Sequence, residues 1–189
     1  MLVNNVFSAP DQAAWANRPC WELPVAVWDE VVGIGARSHY VASVFAAPLL
    51  FAAGSGLIVN VSSSAAAAYQ QNTVYGVGKA AVDKMTADLA LELRPHDVAV
   101  VSVWPGLVRT ELLALAAGDG GSVLEIPGTG RLDLGAAESP RFVGRGVAAL
   151  AADPAVLTYS GGVETTPDLA ARYGFTDVDG TLPGEVAGG

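Results

Sequence analysis

Two short, almost wholly apolar runs constrain this chain more than any other feature: Gly56-Leu-Ile-Val-Asn-Val61 and Val98-Ala-Val-Val-Ser-Val-Trp104. Neither alternates apolar with polar residues, so each is expected to be a strand buried on both faces, as in a parallel sheet covered by helices. The stretch between them suits a crossover helix. It is rich in alanine from Thr73 to Leu93 and stops at Arg94-Pro95. Strand, helix, strand at this spacing is a parallel βαβ unit.

The remaining chain repeats the alternation. Met1–Val6 reads as a short apolar strand that stops in Asn4-Asn5, and a polar loop with Pro10, Asn17 and Pro19 follows. A long helical pattern runs from about Val25 to Ala53, with Val27, Val31, Ile34, Tyr40, Val41, Val44 and Phe45 on recurring faces, and ends at Gly54-Ser55-Gly56. Beyond Pro105-Gly106 come Leu112 to Ala117, then a glycine-rich loop to about Ala136. Ser139-Pro140 starts a helix over Phe142–Ala152, Leu157–Thr165 reads as a last strand, and Asp168–Tyr173 as a short helix. The expectation is one α/β domain over residues 1–189, a Rossmann-like parallel sheet with helices on both faces, with residues 181–189 a loose tail. No internal repeat is visible.

Composition narrows the function. At 189 residues, 51% hydrophobic and 15% charged, the chain is globular and long enough for a substantial core. A formal charge of −9 argues against nucleic acid, which requires a basic face. Cys20 is the single cysteine, so no internal disulfide forms, and a reducing compartment fits. His39 and His96 are too few for a histidine-rich metal site: His96 lies in a polar turn, and His39 reads as a core or interface residue. The most apolar run, Val41–Ala53, is too short to span a bilayer and contains Pro48, and the start does not resemble a signal peptide. The chain is therefore read as soluble and cytoplasmic, with no metal site.

Chemistry concentrates at Tyr75-Gly-Val-Gly-Lys79 and Ser62-Ser63-Ser64. Residues four apart share a helix face, so an ammonium is set beside a phenol. Free tyrosine titrates near ~10, and a fixed positive charge moves it toward a useful range. The serines follow a strand, where the ligands of open α/β sheets bind. Each serine taken alone also suits a turn or cap. A carbonyl or a hydroxyl is the indicated reactive group.

These residues together resemble the short-chain dehydrogenase/reductase family: Tyr75 and Lys79, the serine after Val-Asn-Val-Ser-Ser, Trp104-Pro105-Gly106 with Thr110, and Leu2-Val3-Asn4-Asn5. Within it, Tyr75-Gly-Val-Gly-Lys-Ala-Ala and the ending Asp168-Leu-Ala-Ala-Arg-Tyr-Gly with Asp177-Val-Asp-Gly180 resemble one subgroup. The resemblance implies an oxidoreductase that interconverts a small-molecule carbonyl and alcohol with NAD or NADP. By the same resemblance Tyr75 is the proton donor or acceptor, and Lys79 tunes it and binds the nicotinamide ribose. Ser63, favoured over Ser62, holds the substrate oxygen, while Asn4, Pro105, Gly106 and Thr110 contact the cofactor. The loop from Glu111 to Ala137 matches the substrate-covering region; Leu112, Leu113, Leu115 and Leu124 suit an apolar ligand or the packing of a short helix. Homo-oligomerisation through the 25–53 and 73–93 helices is implied as well.

The departures are equally specific. Gly35 stands where the family carries an asparagine, and Val6-Phe7 where Ala-Gly is usual. The family's glycine-rich turn is absent, and the first residues already match its fourth strand. The first βαβαβ half, which holds adenosine and pyrophosphate, is thus expected to be missing from an N-terminally truncated chain. The competing expectation is a catalytically inactive fragment or interaction protein that keeps the fold without a competent cofactor site.

Overall fold

The computed structural model describes residues 1–8, 12–118, 121–126 and 130–183. In chain order the elements are β1 (Leu2–Asn4), α1 (Gln12–Trp15), α2 (Val25–Glu30), a π-helical segment (Val31–Ala36), α3 (Arg37–Ala52), β2 (Gly56–Val61), α4 (Thr73–Leu93), β3 (Val98–Trp104), α5 (Glu111–Ala117), β4 (Val123–Ile126), β5 (Gly130–Asp133), α6 (Pro140–Ala152), β6 (Val163–Thr165) and α7 (Thr166–Tyr173). They fall into two compact units, Met1–Trp104 with Asp153–Glu164, and Pro105–Ala152 with Thr165–Gly189.

The first unit is built on a sheet of order β1-β2-β3-β6, in which β1, β2 and β3 run parallel, Leu2 opposite Ile58 and Ile58 opposite Val100. This is the parallel α/β architecture expected from the two apolar runs. Ile58, Val98 and Val100 pack against Leu50 of α3 and Ala90 and Leu93 of α4. The alternate residues Val59, Val101 and Val103 are shut off from solvent too, so β2 and β3 are buried on both faces. Each such side chain contributes about 1.5–3 kcal/mol by leaving water.

Polar residues punctuate that apolar face in a closed set. Asn4 Nδ2 donates to Asn60 Oδ1 at 2.9 Å and to Ser43 Oγ at 3.3 Å. Asn60 Nδ2 donates to Thr86 Oγ1 at 2.9 Å, and Thr86 donates in turn to Val82 O. Adjacent parallel strands and two helices are thereby cross-linked inside the core, where a satisfied network specifies one arrangement.

The long helical pattern is continuous but not uniform. Gly33 and Gly35 remove side chains from the helix wall, and the backbone slackens there into the π segment before α3 resumes. The expected strand over 157–165 shrinks to β6. Val156–Tyr159 is instead a 3-10 turn, and Gly161 takes φ +88°, donating its amide to Val100 O.

In the second unit β4 and β5 form an antiparallel hairpin inside the segment expected to be a plain loop; four residues per strand give too little pattern to read. α6 packs on α7 so closely that a Cβ on Gly146 would lie 3.1 Å from Leu169 Cδ1. Asp177 accepts from the Ser139 amide and hydroxyl before α6. Leu112 and Leu115 of α5 are largely exposed, so they do not pack that helix. The tail expected at 181 begins tied down, since Thr181 O accepts from the Asp177 amide; residues 184–189 lie outside the described residues. Among the described residues no helix is long and apolar enough to cross a membrane.

Candidate active site

The serine run leaves β2 at its carboxyl end, and the three hydroxyls diverge. Ser62 is buried and donates its Oγ proton to Lys79 O at 3.2 Å. Ser63, with φ −163° and ψ 166°, caps a 3-10 turn over Ser64–Ala66 and places Oγ 3.2 Å from Tyr75 OH. Ser64 Oγ accepts from Gln70 Nε2 on the surface. The structure therefore brings Ser63, rather than Ser62, to the tyrosine.

Tyr75 is aimed by the start of α4. Asn72 is its N-cap: the side chain accepts from Tyr75 N at 3.0 Å and donates to Trp15 O at 3.1 Å. The glycines of Tyr75-Gly-Val-Gly-Lys79 serve close approach. A Cβ on Gly76 would meet Ala65 O at 3.2 Å, and one on Gly78 would meet Val31 Cγ1 at 3.1 Å. The bare helix surface thus lets α4 settle against both the serine turn and the π segment.

Lys79 lies one helical turn on. Its Nζ donates to Val61 O at 3.4 Å and sits 5.1 Å from the Phe7 ring centre and 5.8 Å from that of Tyr75. Phe7, at the position of the usual glycine, packs edge-on to Tyr75 at 5.7 Å between centres. Burial pulls the Lys79 ammonium down to about 8, with Asp83 opposing. Asp83 is itself anchored by Ser102 Oγ and Trp104 Nε1. Burial pushes the Tyr75 phenol up, and the Ser63 hydrogen bond opposes it. Desolvation, more than the neighbouring ammonium, sets the state of the phenol.

A small pocket, partly open to solvent and with room for about one water molecule, adjoins these groups, lined by Val6, Phe7 and Val31, by Gly35 and His39, and by Tyr75, Gly78, Lys79 and Val82. Nothing stands within 4 Å of a Cβ placed on Gly35, so the missing side chain leaves real space. Sequence reasoning passed over Asn72 and Asp83 and read His39 only as a core or interface residue. The available signals were the i, i+4 relation of Gly35 to His39 and of Lys79 to Asp83, and an asparagine immediately before a helix.

The other expected site residues are placed differently. Asn4 is 5% exposed and spends its amide protons inside the sheet–helix network. Pro105, Gly106 and Thr110 belong to the second unit. There the Gly106 amide donates to Glu138 Oε1 at 2.8 Å, and Thr110 caps α5 by accepting from Leu113 N. Glu138 is buried, its Oε1 also accepting from Thr166 Oγ1 while Oε2 has no partner among the described residues, and burial pushes its carboxyl up. No cluster of three or more His, Cys, Asp or Glu that could hold a metal occurs among the described residues.

Comparison with known proteins agrees with this architecture. Residues 1–118 match the family profile described as short chain dehydrogenase. The mouse and human proteins named Dehydrogenase/reductase SDR family member 1 are each 44% identical over 185 residues. That alignment covers 95% of this chain and 58% of either relative, so the chain spans under two thirds of their length. Both carry the name of the subgroup that the Tyr75–Ala81 and Asp168–Gly180 segments resemble. Among solved structures, a 3-oxoacyl-[acyl-carrier protein] reductase with bound NAD from Brucella melitensis superposes with a TM-score of 0.65. It is 24% identical, over 86% of this chain and 58% of that one, a likeness of fold.

Proposed function

This chain belongs to the short-chain dehydrogenase/reductase family, and we propose that it carries the proton-handling centre of an oxidoreductase that interconverts a small-molecule carbonyl and alcohol with NAD or NADP. One observation supports the reading above others: Ser63 Oγ and Tyr75 OH stand 3.2 Å apart at the end of β2 with the Lys79 ammonium alongside. Two hydroxyls at that separation hold a single oxygen between them, one by donating a positioning hydrogen bond and one by transferring a proton. Tyr75 stays protonated at neutral pH because burial raises it, so reduction finds the acid ready. Ser63 fixes the substrate oxygen.

The bound nicotinamide supplies or takes the hydride, which no side chain can do. The residues present fit its ribose end. Lys79 spends one donor on Val61 O and keeps others for a ribose diol. Asn4 acts indirectly, holding the end of β1 through Asn60. Of the Pro105–Thr110 segment, the Gly106 amide is committed to Glu138 and the Leu107, Val108 and Thr110 carbonyls already accept backbone amides, while the Thr110 hydroxyl accepts from Leu113 N and keeps its proton for a ligand. We assign no residue to the adenosine and pyrophosphate end. The exposed Tyr40, Phe45 and Leu49 of α3 support a homo-oligomer through the 25–53 and 73–93 helices.

The test is oxidation of NADH or NADPH with a panel of aldehydes and ketones, in the 189-residue chain and its Tyr75→Phe and Lys79→Ala variants. Turnover that falls on the order of 10²–10⁴-fold in Tyr75→Phe is expected for loss of the acid. Turnover indifferent to Tyr75→Phe sinks the assignment. A folded chain that neither binds nor oxidises either cofactor favours the rival, a family fold without its chemistry.

A further inference from the structure

The strand that runs beside the Tyr75 helix holds a carboxylate in place. Ser102 and Trp104 are two residues apart on β3, so both side chains leave the strand on one face. Ser102 Oγ donates to Asp83 Oδ1 at 2.6 Å, and Trp104 Nε1 donates to Asp83 Oδ2 at 3.0 Å. Each carboxylate oxygen thus has its own anchor, and the indole nitrogen can only donate to it. Ser102 is fully buried, while Asp83 and Trp104 are half-buried. Asp83 lies one helical turn beyond Lys79 on α4, the spacing at which an acid and a base ordinarily meet as an ion pair. Among the described residues Lys84 and Asp88 form such a pair, but Lys79 and Asp83 do not. The Lys79 ammonium donates to Val61 O instead, at 3.4 Å.

We propose that Asp83 is a positioning residue for Lys79: Ser102 and Trp104 hold its carboxylate off the ammonium, so that it supports the lysine's charge across one helical turn without occupying the N–H donors. The attraction through space opposes the burial that favours a neutral amine. A direct ion pair would support the charge as well, but it would take up donors that a ribose diol requires. Both oxygens of Asp83 are already committed to β3, which removes that alternative. Only the catalytic meaning of this arrangement rests on the proposed function; the held-off carboxylate stands on α4 and β3 alone.

The titratable groups around Lys79 are Tyr75 and Asp83 of α4 and the buried His39 of α3. The segment after β1 and the π segment present uncharged Val6, Phe7, Val31 and Gly35, and β3 presents Ser102 and Trp104. The experiment is an NMR titration of isotope-labelled lysine in the 189-residue chain, with no cofactor added. Lys79 and Lys84 are its only lysines, and Lys84→Arg assigns the signals. Asp83→Asn keeps the shape and both hydrogen bonds, Oδ1 accepting from Trp104 and Nδ2 donating to Ser102, and removes only the charge. The Lys79 pKa, about 8 in the wild type, is expected to fall by about one unit, which takes the charged fraction at pH 8 from about half to about a tenth. Ser102→Ala/Trp104→Phe acts in the opposite direction: the released carboxylate swings onto Lys79, and the pKa rises. A purely structural role would move Lys79 the same way in both variants. No fall in Asp83→Asn, or no rise in Ser102→Ala/Trp104→Phe, overturns the proposal, and if one variant does not fold the other decides by the same criterion. These readouts are independent of turnover, so failure of the catalytic reading, seen in Tyr75→Phe, leaves a separate signature.

Discussion

Thr86→Val tests whether the buried network holds the Tyr75 helix in place. Thr86 is 1% exposed on α4, and its Oγ1 accepts from Asn60 Nδ2 at 2.9 Å. Valine has nearly the same shape, so no cavity opens, and exchanging one β-branched residue for another leaves helix propensity almost unchanged. What changes is one buried donor, on an asparagine that is itself 0% exposed. A buried group stripped of its partner costs about 1–3 kcal/mol. The bond from Thr86 to Val82 O adds little, because that carbonyl sits within the helix ladder. A central value of about 2 kcal/mol is a factor of about 30 in the folding equilibrium and about 4–8 °C in Tm for a chain of this size. Urea unfolding followed by tryptophan emission and by circular dichroism reads it directly, with an unchanged m value. In Asn60→Val/Thr86→Val both partners are apolar, and the cycle is expected to return at least ~1 kcal/mol of coupling. A Thr86→Val chain within ~0.5 kcal/mol of wild type refutes the network as a lock on α4.

Stability should also report the buried bases. Unfolded His39 titrates at 6.5 and the folded residue at about 4, so between those values the unfolded chain holds more protons and stability falls as pH drops. That fall is expected to shrink in His39→Leu, in unfolding measured at pH 7, 5.5 and 4. Lys79 has the same sign at higher pH: it loses its proton near 8 when folded and at 10.5 when unfolded, so its contribution rises between them. Tyr75, raised above 10.0, opposes it beyond that pH, and Lys79→Met should remove the rise. Glu138→Ala strands the Gly106 amide and the Thr166 hydroxyl and should cost about 2–4 kcal/mol at pH 7. Glu138→Gln keeps an acceptor without the buried charge and should stay within ~1 kcal/mol of wild type, as thermal melts will show. Gly78→Ala drives a methyl to 3.1 Å from Val31 Cγ1; the strain of about 1–3 kcal/mol exceeds the ~1 kcal/mol gain in helix propensity, and Val31→Ala should relieve it.

The parallel sheet was legible because its strands are buried on both faces: Leu57–Val61 and Val98–Val103 carry no alternation, which a sheet covered by helices on both faces accommodates, and an alanine-rich helical stretch lies between them. Helix periodicity put Tyr75 and Lys79 on one face, and the strand end put the serines near a ligand site. Neither period nor spacing could choose among three adjacent serines. That choice depends on backbone direction after β2, where the extended Ser63 turns toward Tyr75 and Ser62 turns inward to Lys79 O. The same limit applies to the charges. The sequence shows a lysine beside a tyrosine, but how far each is desolvated depends on what packs around it from distant segments. Phe7, Val31 and Gly35 come from elsewhere in the chain to build the cavity in which burial governs both groups. His39 read as a core or interface residue and is buried. Its bare Nδ1 beside the Lys79 cavity exists only because folding carries Val6 O to the other side of its ring. Local pattern thus determined which elements form and which residues share a face, while desolvation and hydrogen-bond partners, being long-range contacts, were decided by the tertiary structure alone.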